Sequence, residues 1–172
     1  MAQVSASDGL PQVAASRDEA SEFEALFVGS CPLALSLALR VTGNFADAAD
    51  AVQDAAVSAW QHRGQKQGAF EPWFLAIVFR CARHSRRRWL RLIRPVPSMA
   101  SQAGSMSAEL EDAWGRLPQR QSLCLWLRFG QDMTYVAAGQ VMGISEAAAK
   151  QLCQRALRNL RERLVTPGGE GS

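Results

Sequence analysis

The sequence predicts an all-α protein made of two small helical domains joined by a flexible linker. Three observations lead there. Apolar residues recur at spacings of three and four through most of the chain, and no segment alternates apolar and polar residues with the period of a strand. Between the helical patterns lies an uncharged stretch rich in Pro, Ser and Gly, from Pro95 to about Ala108. Residues 1–20 and 165–172 mix small and polar residues without period and read as disordered tails. That leaves residues 21–94 and 109–164 as the two domains, with 95–108 as the linker.

In order along the chain, Phe23, Leu26, Phe27, Leu33, Leu35, Leu37 and Leu39 support a helical region from Glu22 to Val41. Gly29, Cys31 and Pro32 predict a break or kink within it. Thr42-Gly43-Asn44 reads as a turn, and a second helix follows from about Phe45 to His62. Ala48, Ala49, Val52, Ala55, Ala56, Ala59 and Trp60 form its expected core face, with Asp47, Asp50, Gln53 and Asp54 opposite. The polar loop Arg63 to Gly68 leads to a third helix starting near Glu71 or Pro72. Its apolar stripe is Phe70, Trp73, Phe74, Ile77, Val78 and Cys81. Arg80, Arg83, Arg87, Arg91 and Arg94 line another face if the helix reaches Pro95.

In the second domain, Leu110, Ala113, Trp114 and Leu117 precede a Leu- and Trp-rich run from Ser122 to Phe129. Thr134 to Met142 and Ser145 to Leu164 are helical patterns separated by Gly143, with Ser145 suited to cap the last helix. Helix, glycine turn and helix at these lengths form a helix-turn-helix signature. Ile144, Ala148, Leu152, Ala156 and Leu160 are expected to face its core.

Composition narrows the function. The chain has 172 residues, 48% hydrophobic and 20% charged, and six charges fall within residues 8–24. No window of about twenty apolar residues stands out, so neither a membrane span nor a secretory signal is expected, and the protein is placed in the cytoplasm. Two histidines, one tyrosine and the absence of a phosphate-binding glycine loop or a nucleophile elbow argue against catalysis and against a cofactor. Asp47, Asp50 and Asp54 on one helix face suit a solvated or protein-binding surface better than a metal cage. Cys31, Cys81, Cys124 and Cys153 stand far apart in sequence and read as buried free thiols. Cys81 is singled out as a candidate reactive thiol, because several Arg lie within a turn or two.

The formal net charge of +3 conceals a strong asymmetry. Residues 1–60 carry −6 and residues 61–99 carry +8, and 17 of the 19 cations are Arg. A solvated face is the default reading of a charge run. The helix-turn-helix changes that weighting, because Lys150, Gln151, Gln154, Arg155 and Arg158 lie along its second helix, where side chains read bases and phosphates in a major groove.

Taken together, these residues resemble the bacterial RNA polymerase sigma factors of the sigma-70 family, extracytoplasmic-function (ECF) type, which keep only regions 2 and 4. The resemblance covers about residues 22–164. Asp47 to Asp54, followed by Ser58-Ala59-Trp60, is similar to the family segment that binds the clamp helices of the large polymerase subunit. This implies a core polymerase-binding role for Asp47, Asp50, Gln53 and Asp54. Trp73-Phe74-Leu75, Ile77 and Arg86-Arg87-Arg88 resemble the helix gripping the opened minus-ten element, and Arg63 to Gly68 matches the base-capturing loop. The implied minus-ten contacts are Lys66, Arg80, Arg83, His84, Arg87 and Arg88. Leu117-Pro118-Gln119-Arg120-Gln121, Leu127-Arg128-Phe129, Thr134-Tyr135, Gly143-Ile144-Ser145, Lys150 and Arg155 to Arg161 follow region 4 without a gap. The implied minus-thirty-five contacts are Ser145, Lys150, Gln151, Gln154, Arg155 and Arg158. Promoter DNA, core polymerase and an anti-sigma factor are the implied partners, with no membrane insertion.

The departures from the family pattern carry expectations of their own. Ala49 replaces a carboxylate, and Arg80 and His84 stand where the family has Asn and Asp. Ala137-Ala138-Gly139 replaces Glu-Ile-Ala, and Ala147-Ala148-Ala149 replaces Gly-Thr-Val. An uncompensated Ile-to-Ala truncation at Ala138 costs about 2 to 5 kcal/mol, and a mid-helix glycine at 139 roughly 1 more. The second domain is therefore expected to be repacked or marginal. Ala49 and the altered helix-turn-helix also leave open a decoy that occupies an anti-sigma factor without directing transcription.

Overall fold

The computed structural model describes residues 17–90 and 108–165, and for residues 86–90 the backbone alone. Among the described residues the architecture is all-α, in two domains. The first comprises α1 (Arg17–Thr42), α2 (Phe45–Gln61) and α3 (Phe70–Leu90), with a 3₁₀ turn at Arg63–Gln65. The second comprises α4 (Ala108–Gly115), α5 (Gln119–Leu125), α6 (Tyr135–Met142) and α7 (Glu146–Val165), with a π-helical turn at Trp126–Gly130 extending α5. The predicted tails and linker lie outside the described residues, apart from 17–20, 108 and 165, which are helical.

The break expected in α1 does not occur: the helix runs through Pro32. Proline removes the bond to the Val28 carbonyl and crowds it, at a cost of about 3 kcal/mol. Packing on both sides of Pro32 holds the helix together. N-terminal to it, Phe23 meets Trp60 and Phe70 edge-on at centroid distances of 5.1 and 5.6 Å, and Phe27 meets Phe74 at 5.6 Å. C-terminal to it, Ala34, Leu37, Ala38 and Val41 are buried. Each aromatic pair adds about 0.5 to 1.5 kcal/mol beyond its buried area, so a few of them offset the local penalty. Helix α1 is also long and apolar enough to cross a membrane by length and composition, contrary to the reading from the charge count. In this fold its apolar residues pack on α2 and α3.

Alanines at 48, 51, 55 and 59 are all buried in α2 and let its backbone approach α1 and α3 closely. The helix begins at Asn44, whose side-chain oxygen accepts the Asp47 amide at 2.9 Å while its amide nitrogen donates to Asp47 Oδ2 at 2.6 Å. Two groups at the helix start thus satisfy each other, as in a capping box.

The helix-turn-helix is equally well determined locally. Thr134 caps α6 by accepting the Ala137 amide at 3.1 Å. Gly143 takes the left-handed conformation (φ 65°, ψ 40°), and Ile144 N donates to Gly139 O at 2.9 Å, which closes a Schellman motif. Ser145 then caps α7 through its hydroxyl, which accepts the Ala148 amide at 3.2 Å.

Gly139 is not the mid-helix weakness its type suggests. A Cβ there would stand 2.8 Å from the Ile144 carbonyl oxygen, so the missing side chain is what lets the turn fold back onto α6. Ala138 beside it is fully buried. Helix α6 packs against α7 on one side and against α3 of the first domain on another, and small side chains suit a helix covered from two directions. Ala138 and Gly139 are thus both buried within this packing.

Gly29 and Gly139 predict opposite outcomes on replacement by alanine. Gly29 is helical with open space around its Cα, so Gly29→Ala should raise stability by about 0.5 to 1 kcal/mol. Gly139→Ala should lower it by about 1 to 3 kcal/mol, because a backbone oxygen must move. Urea unfolding monitored by far-UV circular dichroism checks both.

Candidate functional site

Three exposed surfaces carry the candidate residues. On α2, Asp50, Gln53 and Asp54 are exposed on one face. Asp47 departs from them: it is only 9% exposed and its carboxylate is held by Asn44. It belongs to the helix start rather than to the open acidic face. Val57, 59% exposed, completes that face one turn after Gln53 and Asp54. Its i+4 and i+3 spacings from them are visible in the sequence, but an apolar side chain carries no local sign of belonging to a polar surface.

On α3, Arg80, Arg83 and His84 are exposed, and Arg83 lies over the Phe79 ring at 5.5 Å. Arg87 and Arg88 continue the same helix, with side chains outside the described set. Arg91 and Arg94 lie outside the described residues altogether. Of the aromatic segment beside them, Phe74, Leu75 and Ile77 are buried in the core, so only the half-buried Trp73 remains near the surface. The preceding loop is shaped by its own backbone. The Arg63 guanidinium lies 4.3 Å from the Trp60 ring centroid and donates to the Trp60 carbonyl at 3.0 Å. Lys66 is exposed, with Nζ donating to Gly68 O at 3.1 Å, and Gly68 adopts φ +72°.

On α7, Lys150, Gln151, Gln154, Arg155 and Arg158 are all exposed. Positions 151, 154, 155 and 158 form one continuous face. Ser145 is exposed too, but its hydroxyl is engaged as the cap. The buried stripe is Ala149, Cys153 and Ala156, a slight rotation from the predicted one. Ala148, Leu152 and Leu160 flank it half-buried. Asn159 Nδ2 donates to Gln121 Oε1 at 2.8 Å, which fixes the rotation of α7 against α5.

The cysteines pair in space, although their sequence positions gave no sign of it. Cys124 on α5 and Cys153 on α7 are fully buried, interact with each other, and are free thiols. Cys124 Sγ donates to the Ala149 carbonyl at 3.4 Å. Burial, followed by the contact with Cys153, pushes the Cys124 thiol up to about 12. Cys81 is not activated by its arginines. Burial and then the nearby Asp54 charge raise its pKa, and Arg80 offsets them only in part.

The surfaces match a known pattern of domains. A model of Sigma-70 region 2 matches residues 28–91, and one of Sigma-70 region 4 matches residues 113–162. The ECF RNA polymerase sigma factor SigF of Caulobacter vibrioides is 32% identical over 139 residues, covering 76% of this chain and 78% of SigF. This chain belongs to the sigma-70 family, as a factor of the ECF type. Two further relatives are longer than the region they share with it. ECF sigma factor SigJ of Mycobacterium tuberculosis is 31% identical over 156 residues, covering 80% of this chain and 48% of SigJ. The probable RNA polymerase sigma factor RfaY of Xanthomonas campestris is 30% identical over 154 residues, covering 76% of this chain and 37% of RfaY.

Two solved structures share the fold. Sigma factor RpoE of Bartonella quintana, in complex with the anti-sigma factor NepR, matches with TM-score 0.63 at 21% identity, over 89% of this chain and all of RpoE. CnrH, in complex with the cytosolic domain of CnrY, matches with TM-score 0.60 at 24% identity, over 87% of this chain and 91% of CnrH.

The thiols of this sigma factor make a pH prediction. An acid whose folded pKa lies above its unfolded value of 9.0 holds more protons folded than unfolded, so its contribution is present below pH 9 and is lost as pH rises towards about 12. Stability of the second domain should therefore fall above pH 9, and Cys124→Ala should flatten that slope. Urea unfolding between pH 7 and 10.5 checks the sign.

Proposed function

We propose that this chain is an ECF-type sigma factor that binds core RNA polymerase and directs initiation at promoters with defined minus-ten and minus-thirty-five elements. The observation that carries the reading is an opposed pair of surface chemistries. An open acidic face on α2 suits a protein partner, and basic faces on α3 and α7, one per domain, suit DNA. Asp50, Gln53 and Asp54, with Val57, form the face assigned to the clamp helices, while Asp47 positions it by starting the helix. Lys66, Arg80, Arg83, His84, Arg87 and Arg88 are assigned to the minus-ten element. Lys150, Gln151, Gln154, Arg155 and Arg158 are assigned to the minus-thirty-five element, with Ser145 as the cap that orients them. Arg grips phosphate or a guanine edge in a fork, and Gln pairs with adenine. The protein acts without catalysis of its own, in the cytoplasm.

An anti-sigma factor is the expected regulator, because RpoE and CnrH, whose fold this chain shares, were solved as complexes with NepR and CnrY. The decoy alternative rests on Ala49 and on the altered helix-turn-helix, and only the second of these is touched by the packing. The seated Gly139 and the intact caps of α6 and α7 weaken that motive.

Reconstituted transcription tests the proposal. Purified chain added to core polymerase should yield promoter-specific transcripts, and Asp50→Ala with Gln53→Ala should weaken core binding by about ten- to a hundredfold while thermal unfolding is unchanged. Arg158→Ala should weaken promoter binding and reduce the salt slope by close to 1. A chain that binds an anti-sigma factor but neither core nor promoter is the decoy.

A further inference from the structure

One cluster in the second domain takes no part in any of the three surfaces. Cys124 on α5 and Cys153 on α7 are both fully buried, and they stand 29 positions apart in the sequence. The bond from Cys124 Sγ to the Ala149 carbonyl at 3.4 Å lays this sulfur against the turn of α7 that leads to Cys153, four residues further on. The two thiols are in hydrogen-bond contact with each other. A cation acts on the same place. The charge of Arg128, from the π-helical turn, reaches Cys153, and the Arg128 Nε is buried without a hydrogen-bond partner among the described residues. A buried donor left unmade costs stability, and an anion formed nearby supplies what it lacks.

We infer that Cys124, Cys153 and Arg128 form a peroxide-sensing dithiol that closes into a disulfide between α5 and α7 and displaces the basic face of α7. The surroundings give the two sulfurs different roles. Burial, then the contact with Cys153, keeps the Cys124 thiol protonated. Burial raises the pKa of Cys153 as well, but the Cys124 bond and the Arg128 charge both pull it back down. Cys153 is therefore the attacking sulfur. Its thiolate attacks one oxygen of hydrogen peroxide: the S–O bond forms, the O–O bond breaks, and the departing hydroxide takes the proton that Cys153 released. Water and a sulfenic acid result. Cys124 then attacks the Cys153 sulfur: the S–S bond forms, the S–O bond breaks, and the departing hydroxide takes the Cys124 proton as a second water. Two thiols are oxidised and one peroxide is reduced. Burial of both sulfurs shuts out bulky oxidants, so the site selects a molecule little larger than water.

The disulfide acts directly on α7. Two thiols in hydrogen-bond contact must come closer to bond, and Cys124 gives up the Ala149 carbonyl as they do. Cys153 lies nearly opposite positions 151, 155 and 158 around the helix, so a pull on it is transmitted to the face that carries them. The switch stands on the buried cluster, whereas its effect on promoter binding rests on the function proposed above.

The full-length chain carrying Cys31→Ser and Cys81→Ser, which leaves only this pair of thiols, tests the inference. Hydrogen peroxide should lower its intact mass by about 2 Da, the two hydrogens lost, without forming dimers, and dithiothreitol should reverse the change. Peptide mapping should join Cys124 to Cys153, in this variant and in the oxidised wild type alike. Oxidised glutathione, too large for the sealed site, should leave the pair reduced over the same time. Arg128→Gln should slow the peroxide reaction by at least about threefold, and Arg128→Lys by less, at unchanged helicity. Two free thiols after peroxide treatment overturn the proposal, and so does a gain of oxygen mass without a disulfide. Equal rates with and without the Arg128 charge remove Arg128 from it. The fall in stability above pH 9 should vanish in the oxidised chain, because neither sulfur then carries a proton. The oxidised chain should bind promoter DNA at least about threefold more weakly than the reduced one, and equal binding removes the regulatory consequence. A reduced chain that binds no promoter rejects the proposed function and leaves the disulfide result intact.

Discussion

Helix α6 is the element on which the rest depends. It is eight residues long and buried at Ala138, Gly139, Val141 and Met142, with α7 against it on one side and α3 on another. A short helix with ordinary side chains has one apolar stripe and one neighbour. Here Gly139 lets the following turn close at van der Waals distance, and Ala138 adds almost no volume to the interface. The exposed basic face of α7 is therefore oriented by a helix that also packs on the other domain.

The acidic α2 face and the basic α7 face both remain exposed in this packing. Between the domains, Gln119 at the start of α5 donates to the Arg40 and Val41 carbonyls at the end of α1, at 3.0 and 3.1 Å. The Arg40 guanidinium lies 4.6 Å from the Trp126 ring centroid. The hydrogen bonds are partly solvent-exposed, and each is worth about 1 kcal/mol.

Much of this was legible in the sequence where local chemistry decides. Asn44, Thr134, Gly143 and Ser145 fixed the ends of α2, α6 and α7, and the 3.6-residue period placed the exposed residues of α7 on one face. Pro32 misled because its local cost is smaller than the packing on either side of it. Asp47 looked like its exposed neighbours, and only the Asn44 contact separates it from them. The Cys124–Cys153 pair and the Gln119–Arg40 contacts join residues 29 and 79 positions apart, and no local pattern signals such pairings. Gly139 looked like a defect because a sequence shows the missing side chain but not the carbonyl that occupies its place.

The central claim is that α6 folds with both of its neighbours as one unit. Native-state amide hydrogen exchange of the full-length chain, followed through increasing sub-denaturing urea, reads this most directly. The account predicts that the buried amides of α6 open together with those of α3, with the same free energy and the same urea dependence. Opening of α6 with α7 alone, at a lower free energy while α3 stays protected, would contradict it.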